Sequence, residues 1–313
     1  MSTLRQAAEE YLSLRRRLGH KLDRSGWVLW QFVSFMERRK APFITSDLVV
    51  EWAVLPTKAQ PGYWASRLSA VRLFAQYRRA TDPRTEVPAL GLLQARYQRK
   101  RPYLYTEDEI ARLMGAAARL ASPTGLRAQT YITLLGLLTV AGLRISEAIA
   151  LDREDVDLEG GILTIRRTKF GKIRLVPVHR STTLALRRYT RFRDRVYPRP
   201  RTSSFFVGEA GARLVKNSAE DIFVRLSRRI GLRGPEGRHG HGPRLHDLRH
   251  RWAVDTMLRW YRAGVDVERH LPELSTFLGH GHPTATYWYL SAVPELMRLV
   301  VARLEPRTRR RPS

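Results

Sequence analysis

Residues 141–148, with the sequence AGLRISEA, contain an arginine in a place that suits phosphate binding. Arg144 follows an apolar helical stretch and a glycine, and Glu147 comes about one helical turn later. A guanidinium fixed there could bind two oxygens of one phosphate, and Glu147 could hold it in position. A structural Arg–Glu pair at the start of a helix is the competing interpretation of this segment alone.

Residues 245–250, with the sequence LHDLRH, bring a histidine and an arginine onto one face of a predicted helix. His246 and Arg249 are spaced i,i+3, so both side chains can face the same anion. Metal binding is the alternative, because His250 lies one turn after His246 and two more histidines occur at 239 and 241. The charge of Arg249 would repel a divalent cation, which favours the anion.

Two β-rich runs, at 162–165 and 173–178, predict a hairpin whose connection contains the sequence KFGK. Lys169 in this connection could reach into a DNA groove. Close to a phosphate it could also donate a proton to a leaving oxygen. Lys172 is the second choice for the same role.

A histidine and two tyrosines complete the candidate set. His280 follows Gly279, a predicted helix C-cap, and is therefore expected at a turn. Tyr287 and Tyr289 come next in a helical pattern, and residues two apart on a helix point about 200° apart, so only one can face a phosphate. A tyrosine hydroxyl has an ordinary pKa of about 10, so it acts as a nucleophile only beside cations or a base.

The order of these segments resembles the catalytic signature of the tyrosine recombinase (phage integrase) family. The shared features are GLR-S-E at 142–147, a hairpin lysine, HDLRH at 246–250, LGH at 278–280 and a tyrosine nine residues after the last histidine. The resemblance covers nearly the whole of the predicted second domain, residues 105–313. The segment YWYLS at 287–291 further resembles transposon-associated members.

The resemblance implies a phosphate-binding role for three side chains. Arg144 and Arg249 would bind the non-bridging oxygens of the scissile phosphate, and His280 would donate a hydrogen bond to it. The arginines would act mainly by electrostatic stabilisation of the pentacoordinate phosphorane.

The resemblance also implies the proton transfers and the nucleophile. Tyr289 would attack phosphorus and form a 3′-phosphotyrosine, and His246 would assist proton transfer there. Lys169, which lies eight residues before Pro177 as the family's turn lysine does, would protonate the 5′-oxygen. Because the protein–DNA ester keeps the bond energy, no metal, ATP or other cofactor is expected.

Tyr287 has no such role in this interpretation. It is expected to pack against the domain beside Trp288, while Tyr289 faces the phosphate.

Hydrophobic periodicity divides the chain into two parts. Helical patterns with short breaks fill residues 4 to about 80 and predict a helical domain over 1–82. Residues 83–104 form a basic connector, and Thr106 with Glu109 makes a capping box that begins a second domain over 105–313. Further helical patterns follow the hairpin, at 181–196, 217–230, 245–262, 268–278 and 284–304. The sequence thus predicts a mainly α fold with a small antiparallel sheet (α+β).

At the level of architecture, the resemblance implies a core-binding (SAM-like) domain and a catalytic domain that form a C-shaped clamp on double-stranded DNA. It implies a homotetramer on two recombination sites, with the helix from Pro294 to Leu304 docking on a neighbour, and accessory recombinases as further partners.

The composition indicates a nucleic-acid partner. Lys and Arg total 56 against 29 Asp and Glu, a formal net charge of +27, while a hydrophobic content of 43% is too high for a disordered basic tail. The absence of cysteine excludes disulfide scaffolds and thiolate metal sites. The first residues lack the apolar core of a signal peptide, and the longest apolar stretch, 131–143, is too short for a bilayer. We therefore expect a cytoplasmic, DNA-associated protein with no membrane partner.

Two other functions use similar features. A type IB topoisomerase shares the covalent chemistry but relaxes supercoils without pairing two sites, and a non-catalytic DNA-binding protein would need only the positive charge. The helical first domain and the helix after the nucleophile favour a recombinase over the topoisomerase. The complete set of six candidate catalytic residues argues against a protein that has lost catalysis.

Overall fold

The computed structural model describes residues 3–93, 101–166, 173–234, 242–280, 282 and 284–304, and it divides the chain into two compact units. These units are Met1–Lys100 and Arg101–Ser313. Their boundary lies within the predicted connector at 83–104.

The first unit contains four helices: α1 (Leu4–Arg17), α2 (Asp23–Arg38), α3 (Ser46–Val54) and α4 (Pro61–Arg79). Thr3 and Thr45 cap α1 and α3 by accepting backbone N–H groups, and Pro61 begins α4, where its missing N–H is not needed. Aromatic side chains such as Phe32 and Trp52 fill the core of this unit.

Two arginines of α4 lie in that core rather than on its surface. Arg67 is buried, with its guanidinium carbon 3.8 Å from the centroid of the Trp52 ring and Nη2 donating to the Trp52 carbonyl at 2.8 Å. Arg78 is buried beside Asp82. Both are therefore part of the packing of this unit.

The second unit begins with α5 (Glu107–Ala118), α6 (Leu126–Ala141) and α7 (Ile145–Ala150). The predicted capping box at the start of α5 is confirmed, because Thr106 Oγ1 accepts from the Glu109 N–H and Glu109 returns a bond to the Thr106 N–H. Helix α6 is the buried apolar stretch of the sequence, and most of its side chains lie in the core.

A short 3₁₀ turn leads into three strands, β1 (Val156–Asp157), β2 (Ile162–Ile165) and β3 (Arg174–Pro177). They pair antiparallel in the order β1-β2-β3, with Leu163 opposite Val176 and Ile165 opposite Arg174. Leu163 and Val176 point into the core. The connection between β2 and β3 that carries Lys169 and Lys172 lies outside the described residues.

The remaining helices are α8 (Arg180–Val196), α9 (Lys216–Arg229), α10 (Leu245–Arg262), α11 (Val267–Leu278), α12 (Thr284–Ala292) and α13 (Pro294–Leu304). The pattern at 284–304 forms two helices, and α13 begins at Pro294 as expected, because Pro294 has no N–H to continue the ladder of α12. Helix α13 packs on α10 and α12 of its own unit, with Leu296 fully buried.

The predicted fold class is confirmed, since the described chain is mainly helical with one small antiparallel sheet. Among the described helices, none has both the length and the apolar character that a membrane crossing requires.

Candidate active site

Three arginines from distant parts of the chain converge on the end of α11. The carbonyls of residues 277–279 are exposed by the helix terminus and cannot be satisfied within the helix. Each accepts from a different arginine: Phe277 O from Arg174 Nε at 3.0 Å, Leu278 O from Arg249 Nη2 at 2.5 Å, and Gly279 O from Arg144 Nη2 at 3.0 Å. The turn that carries His280 is therefore held by three positive charges, which also match the negative end of the helix dipole.

The same three arginines share one buried carboxylate, Glu147. Arg144 Nη1 donates to Glu147 Oε1 at 2.6 Å, and Arg174 binds both oxygens, at 3.1 and 2.8 Å. Arg249 Nη1 lies 3.9 Å from Glu147 Oε2. Burial by itself would raise the pKa of Glu147, but the hydrogen bonds and charge of Arg174, followed by those of Arg144, lower it to about 2. Glu147 is thus ionised and orders the cluster.

Two glycines make room for this arrangement. Gly142 ends α6 with a φ of +58°, and a Cβ there would lie 2.6 Å from the indole of Trp252. Its carbonyl accepts from Arg249 Nη1 at 2.8 Å. Gly279 has a φ of +64°, and a Cβ there would lie 2.7 Å from Arg174 Nη1. Both the left-handed backbone and the lack of a side chain are needed at these positions.

The three arginines differ in how much of each side chain solvent can reach. Arg144 is 32% exposed, Arg174 is 10% exposed and Arg249 is 1% exposed. Burial and repulsion from Arg144 lower the pKa of Arg249 to about 9, which still leaves it charged at neutral pH.

Tyr289 is fully buried, and its hydroxyl is paired with a histidine. A hydrogen bond of 2.7 Å joins Tyr289 Oη and His250 Nδ1, and the Trp288 ring lies against both side chains. Tyr287 is 47% exposed, so the expectation that it packs against the domain is wrong. The two tyrosines do face different surroundings, as their helical spacing requires, but it is Tyr289 that lies inside.

His246 lies at the edge of a groove of about 750 Å³. Arg144, Lys216, Arg233 and Arg244 contribute cationic side chains to this groove, and Glu220 and Asp221 also line it. His246 is exposed to solvent at the edge of the groove. Desolvation by surrounding protein atoms and the charge of Arg249 lower its pKa to about 4. The ring is therefore neutral at neutral pH and able to accept a proton.

The start of α10 is fixed by contacts on both sides of His246. Asp247 is buried. Its carboxylate accepts from the Arg244 backbone N–H at 2.7 Å and from Arg244 Nη2 at 2.8 Å. Tyr105 donates its hydroxyl proton to the Arg244 carbonyl at 3.0 Å. The His246 ring in turn meets the His250 ring edge to face, with centroids 4.5 Å apart.

The structure brings most of the sequence-predicted residues together. Arg144 and Arg249 bind the turn that ends at His280, and His280 Nδ1 lies 2.8 Å from the hydroxyl of Thr286 on α12. His246 approaches Tyr289 through His250. The candidate lysines, Lys169 and Lys172, fall outside the described residues.

Two residues of the cluster were not singled out for these roles from the sequence. Arg174 is a charged residue between two apolar ones in a predicted strand, and that pattern was the available signal. His250 was considered only as a metal ligand. Within the described ranges no group of three or more potential metal-ligating side chains occurs, while residues 239 and 241 lie outside those ranges.

The chain is similar in sequence to known integrases and recombinases. Residues 104–295 match the family described as the phage integrase family. The protein y4rB of Sinorhizobium fredii, whose name assigns it to the integrases and recombinases, is 48% identical over 311 residues and 98% of each chain. The tyrosine recombinase XerD of Mycobacterium tuberculosis is 33% identical over 213 residues, which cover 67% of this chain and 63% of XerD.

Solved structures share the fold. The Tn1549 transposon integrase in complex with transposon right end DNA superposes with a TM-score of 0.66 at 16% identity, covering 95% of this chain and 99% of that one. XerH site-specific recombinase bound to palindromic difH substrate gives a TM-score of 0.65 at 17% identity, covering 90% and 78%.

Proposed function

The chain belongs to the phage integrase family of tyrosine recombinases, and we propose that it cuts and rejoins DNA through a covalent 3′-phosphotyrosine at Tyr289. Site-specific recombination is the activity of this enzyme family. The observation that carries the residue assignment is the convergence of Arg144, Arg249 and the His280 turn in one cluster.

The scissile phosphate would bind at the exposed side of this cluster. Arg144 lines the groove and keeps part of its guanidinium open to solvent, so it is the first contact for a non-bridging oxygen. Arg249 would complete the clamp, and His280 would donate a hydrogen bond. Their fixed charges would stabilise the second negative charge that develops on the phosphorane.

In the cleavage step one bond to phosphorus forms, another breaks, and two protons are transferred. Tyr289 Oη forms a bond to phosphorus while the bond from phosphorus to the 5′-oxygen breaks. His246, neutral at the groove edge, would take up the tyrosine proton, and Lys169 would protonate the departing oxygen. Rejoining reverses each transfer, so no metal or cofactor enters the balance.

This chemistry requires a rearrangement around α12. Tyr289 is fully buried and Arg249 is 1% exposed, so neither offers a surface to a DNA phosphate in the described arrangement. The bond from Tyr289 to His250 must break for the hydroxyl to reach phosphorus.

The Xer and transposon relatives suggest the wider setting. The Tn1549 integrase was solved with transposon DNA and XerH with its difH site. By likeness to them, this chain would act on double-stranded DNA at recombination sites of a mobile element, in the cytoplasm, as a tetramer on paired sites. Exchange of strands between two labelled duplexes would separate this role from that of a topoisomerase, which would relax supercoils without exchange.

A covalent-adduct assay tests the nucleophile. Nicked suicide duplexes would carry the sequence that the wild-type chain selects from a random DNA pool. Tyr289→Phe removes one oxygen and little packing, so we expect DNA binding within about 3-fold of wild type but no adduct. Tyr287→Phe is the matched control and should keep the adduct, also in excess chelator. A DNA-linked peptide that maps to Tyr287, or loss of the adduct in Tyr287→Phe alone, would refute the assignment.

A further inference from the structure

Arg174, a residue outside the proposed set of phosphate ligands, has the most extensive bonding of the three clustered arginines. We propose that Arg174 is a positioning residue for the reaction: it holds Glu147 and the His280 turn so that Arg144 presents its guanidinium to the scissile phosphate. This inference rests on the proposed function, because it concerns the geometry of that same site.

The contacts of Arg174 are directed entirely into the protein. Nε donates to the Phe277 carbonyl at 3.0 Å, Nη1 to Glu147 Oε1 at 3.1 Å and Nη2 to Glu147 Oε2 at 2.8 Å. All three nitrogens are thus engaged, and only 10% of the side chain is exposed. Arg249 is more buried still, but its assignment as a phosphate ligand comes from the family motif, which does not include Arg174. Arg174 is therefore assigned to positioning, and its effect on catalysis would pass through Glu147 and the His280 turn.

The shared carboxylate explains how Arg174 could act on Arg144. Glu147 has two close guanidinium partners, Arg174 on both oxygens and Arg144 on one, while Arg249 stands 3.9 Å away. If Arg174 were lost, the buried carboxylate would depend on Arg144 for its compensation. Arg144 would then be drawn towards Glu147 and away from the groove, and the cluster would lose one of three positive charges.

The carbonyl bond gives Arg174 a second effect, on the His280 turn. Phe277 is stacked on Trp252, with ring centroids 4.7 Å apart, and it lies three residues before His280. The bond from Arg174 Nε to the Phe277 carbonyl ties the start of β3 to this turn. Lys169, the proposed general acid, comes shortly before β3 in the sequence. The guanidinium of Arg174 therefore links the strand after Lys169 to the turn that carries His280, a proposed phosphate ligand.

Another buried arginine of the same unit provides a matched control. Arg193 also binds both oxygens of a carboxylate, that of Asp194, and donates to one carbonyl, that of Phe205 at 2.8 Å. Its side chain is 2% exposed, and these contacts lie on α8 and the loop that follows it. Replacing Arg193 removes the same kinds of bonds from a region that the proposed chemistry does not use.

The experiment compares Arg174→Lys and Arg174→Met with Arg193→Lys and Arg193→Met, using the nicked duplex described above. A lysine keeps the charge but cannot span both Glu147 oxygens and the Phe277 carbonyl. We expect both Arg174 variants to slow adduct formation at saturating DNA by about 10- to 100-fold, as a displaced catalytic group does. Their Kd for DNA should stay within about 3-fold of wild type, because Arg174 is buried. The Arg193 variants should lose thermal stability but keep the adduct rate of the folded protein.

A double-mutant cycle tests whether Arg174 acts through Arg144. In the background of Arg144→Met, adding Arg174→Lys should lower the adduct rate by a clearly smaller factor than it does in the wild-type background, because one of the two groups through which Arg174 acts is already gone. Fully additive losses would overturn the proposal, as would an unchanged rate in folded Arg174→Lys or a rate loss matched by an equal loss of binding. If Arg174→Met does not fold, the lysine variant carries the test. A wild-type chain without any adduct would refute the proposed function instead.

Discussion

His246 shows how the electrostatics of single residues prepare this site. Desolvation of the ring and the nearby charges of Arg249, Arg144 and Arg244 all disfavour the imidazolium, while Asp247 favours it, and the net effect lowers the pKa to about 4. A neutral imidazole can take up a tyrosine proton at neutral pH. A bound phosphate would add negative charge and make the protonated ring easier to hold, so the step that creates the imidazolium is favoured when DNA is present.

A pH titration of His246 by NMR tests this description. In the chain without DNA, its ring should titrate well below the ordinary value of about 6.5, and the midpoint should rise on DNA binding. Because the folded pKa is lower than the unfolded one, the contribution of His246 to stability is present above about pH 6.5 and is lost as pH falls towards 4. His246→Gln should flatten that part of the curve of unfolding free energy against pH, whereas His270→Gln, outside the cluster, is the control. A midpoint at or above 6.5 without DNA would contradict the assignment.

The sequence identified residue types and their order better than their surroundings. Arg144, His246, Arg249, His280 and Tyr289 belong to short local motifs, and local motifs are visible in a sequence. The partnership of Arg174 with Glu147 joins positions 27 residues apart and its bond to Phe277 joins positions 103 apart, so only tertiary structure reveals it. The burial of Tyr289 and the exposure of Tyr287 likewise depend on how α12 packs against α10, which a helical spacing does not determine.

At the scale of elements, the site is built where helices end. Helix α6 ends at Gly142, whose carbonyl binds Arg249, and α11 ends at Gly279, whose carbonyl binds Arg144. Helices α7 and α10 begin with Arg144 and Arg244 as their N-terminal caps. Helix ends leave backbone groups without intrahelical partners, so they are natural places to anchor charged side chains in fixed positions.

Gly279→Ala tests the importance of one such end. The left-handed φ of +64° would cost an alanine about 1–2 kcal/mol of stability, and the new Cβ would also meet Arg174 Nη1 at 2.7 Å. Gly264→Ala is a matched control, because Gly264 ends α10 with a φ of +74° and has nothing within 4 Å of a Cβ. We expect both variants to lose thermal stability, Gly279→Ala more because of the added contact with Arg174, and a drop of roughly 10-fold in adduct rate for Gly279→Ala alone. Equal adduct rates in the two variants would show that the turn tolerates the displacement.

Most elements were predictable because each has a local signal. The capping box at Thr106, the apolar stretch of α6 and the alternation in β2 and β3 all correspond to observed elements. The pattern at 284–304 is divided by one residue, since Pro294 separates α12 from α13 although hydrophobic spacing continues across it. The packing of α13 on its own unit was not predictable, because the same apolar face could equally serve a neighbour.

At the scale of the whole molecule, the dominant property is a formal net charge of +27. The cluster around Glu147 uses only a few of these charges, and its arginines are largely turned inward. Most of the positive charge therefore belongs to other residues of the chain, which would attract DNA without contacting the scissile phosphate. Affinity and catalysis should then depend on different arginines and respond differently to salt.

A salt titration of DNA binding tests that separation. Each phosphate contact releases condensed counterions, so log K should fall linearly with log salt, with a slope of about −0.9 per contact. For a protein that contacts many phosphates, affinity should fall on the order of 10³-fold between roughly 50 and 200 mM salt.

Arg144→Met should reduce the slope of this plot by about one contact, because Arg144 is exposed in the groove. Arg174→Met should leave the slope unchanged, because Arg174 faces Glu147 and Phe277. A nearly flat plot for the wild-type chain would exclude binding by many phosphate contacts, and a reduced slope in Arg174→Met would mean that this arginine reaches DNA after all.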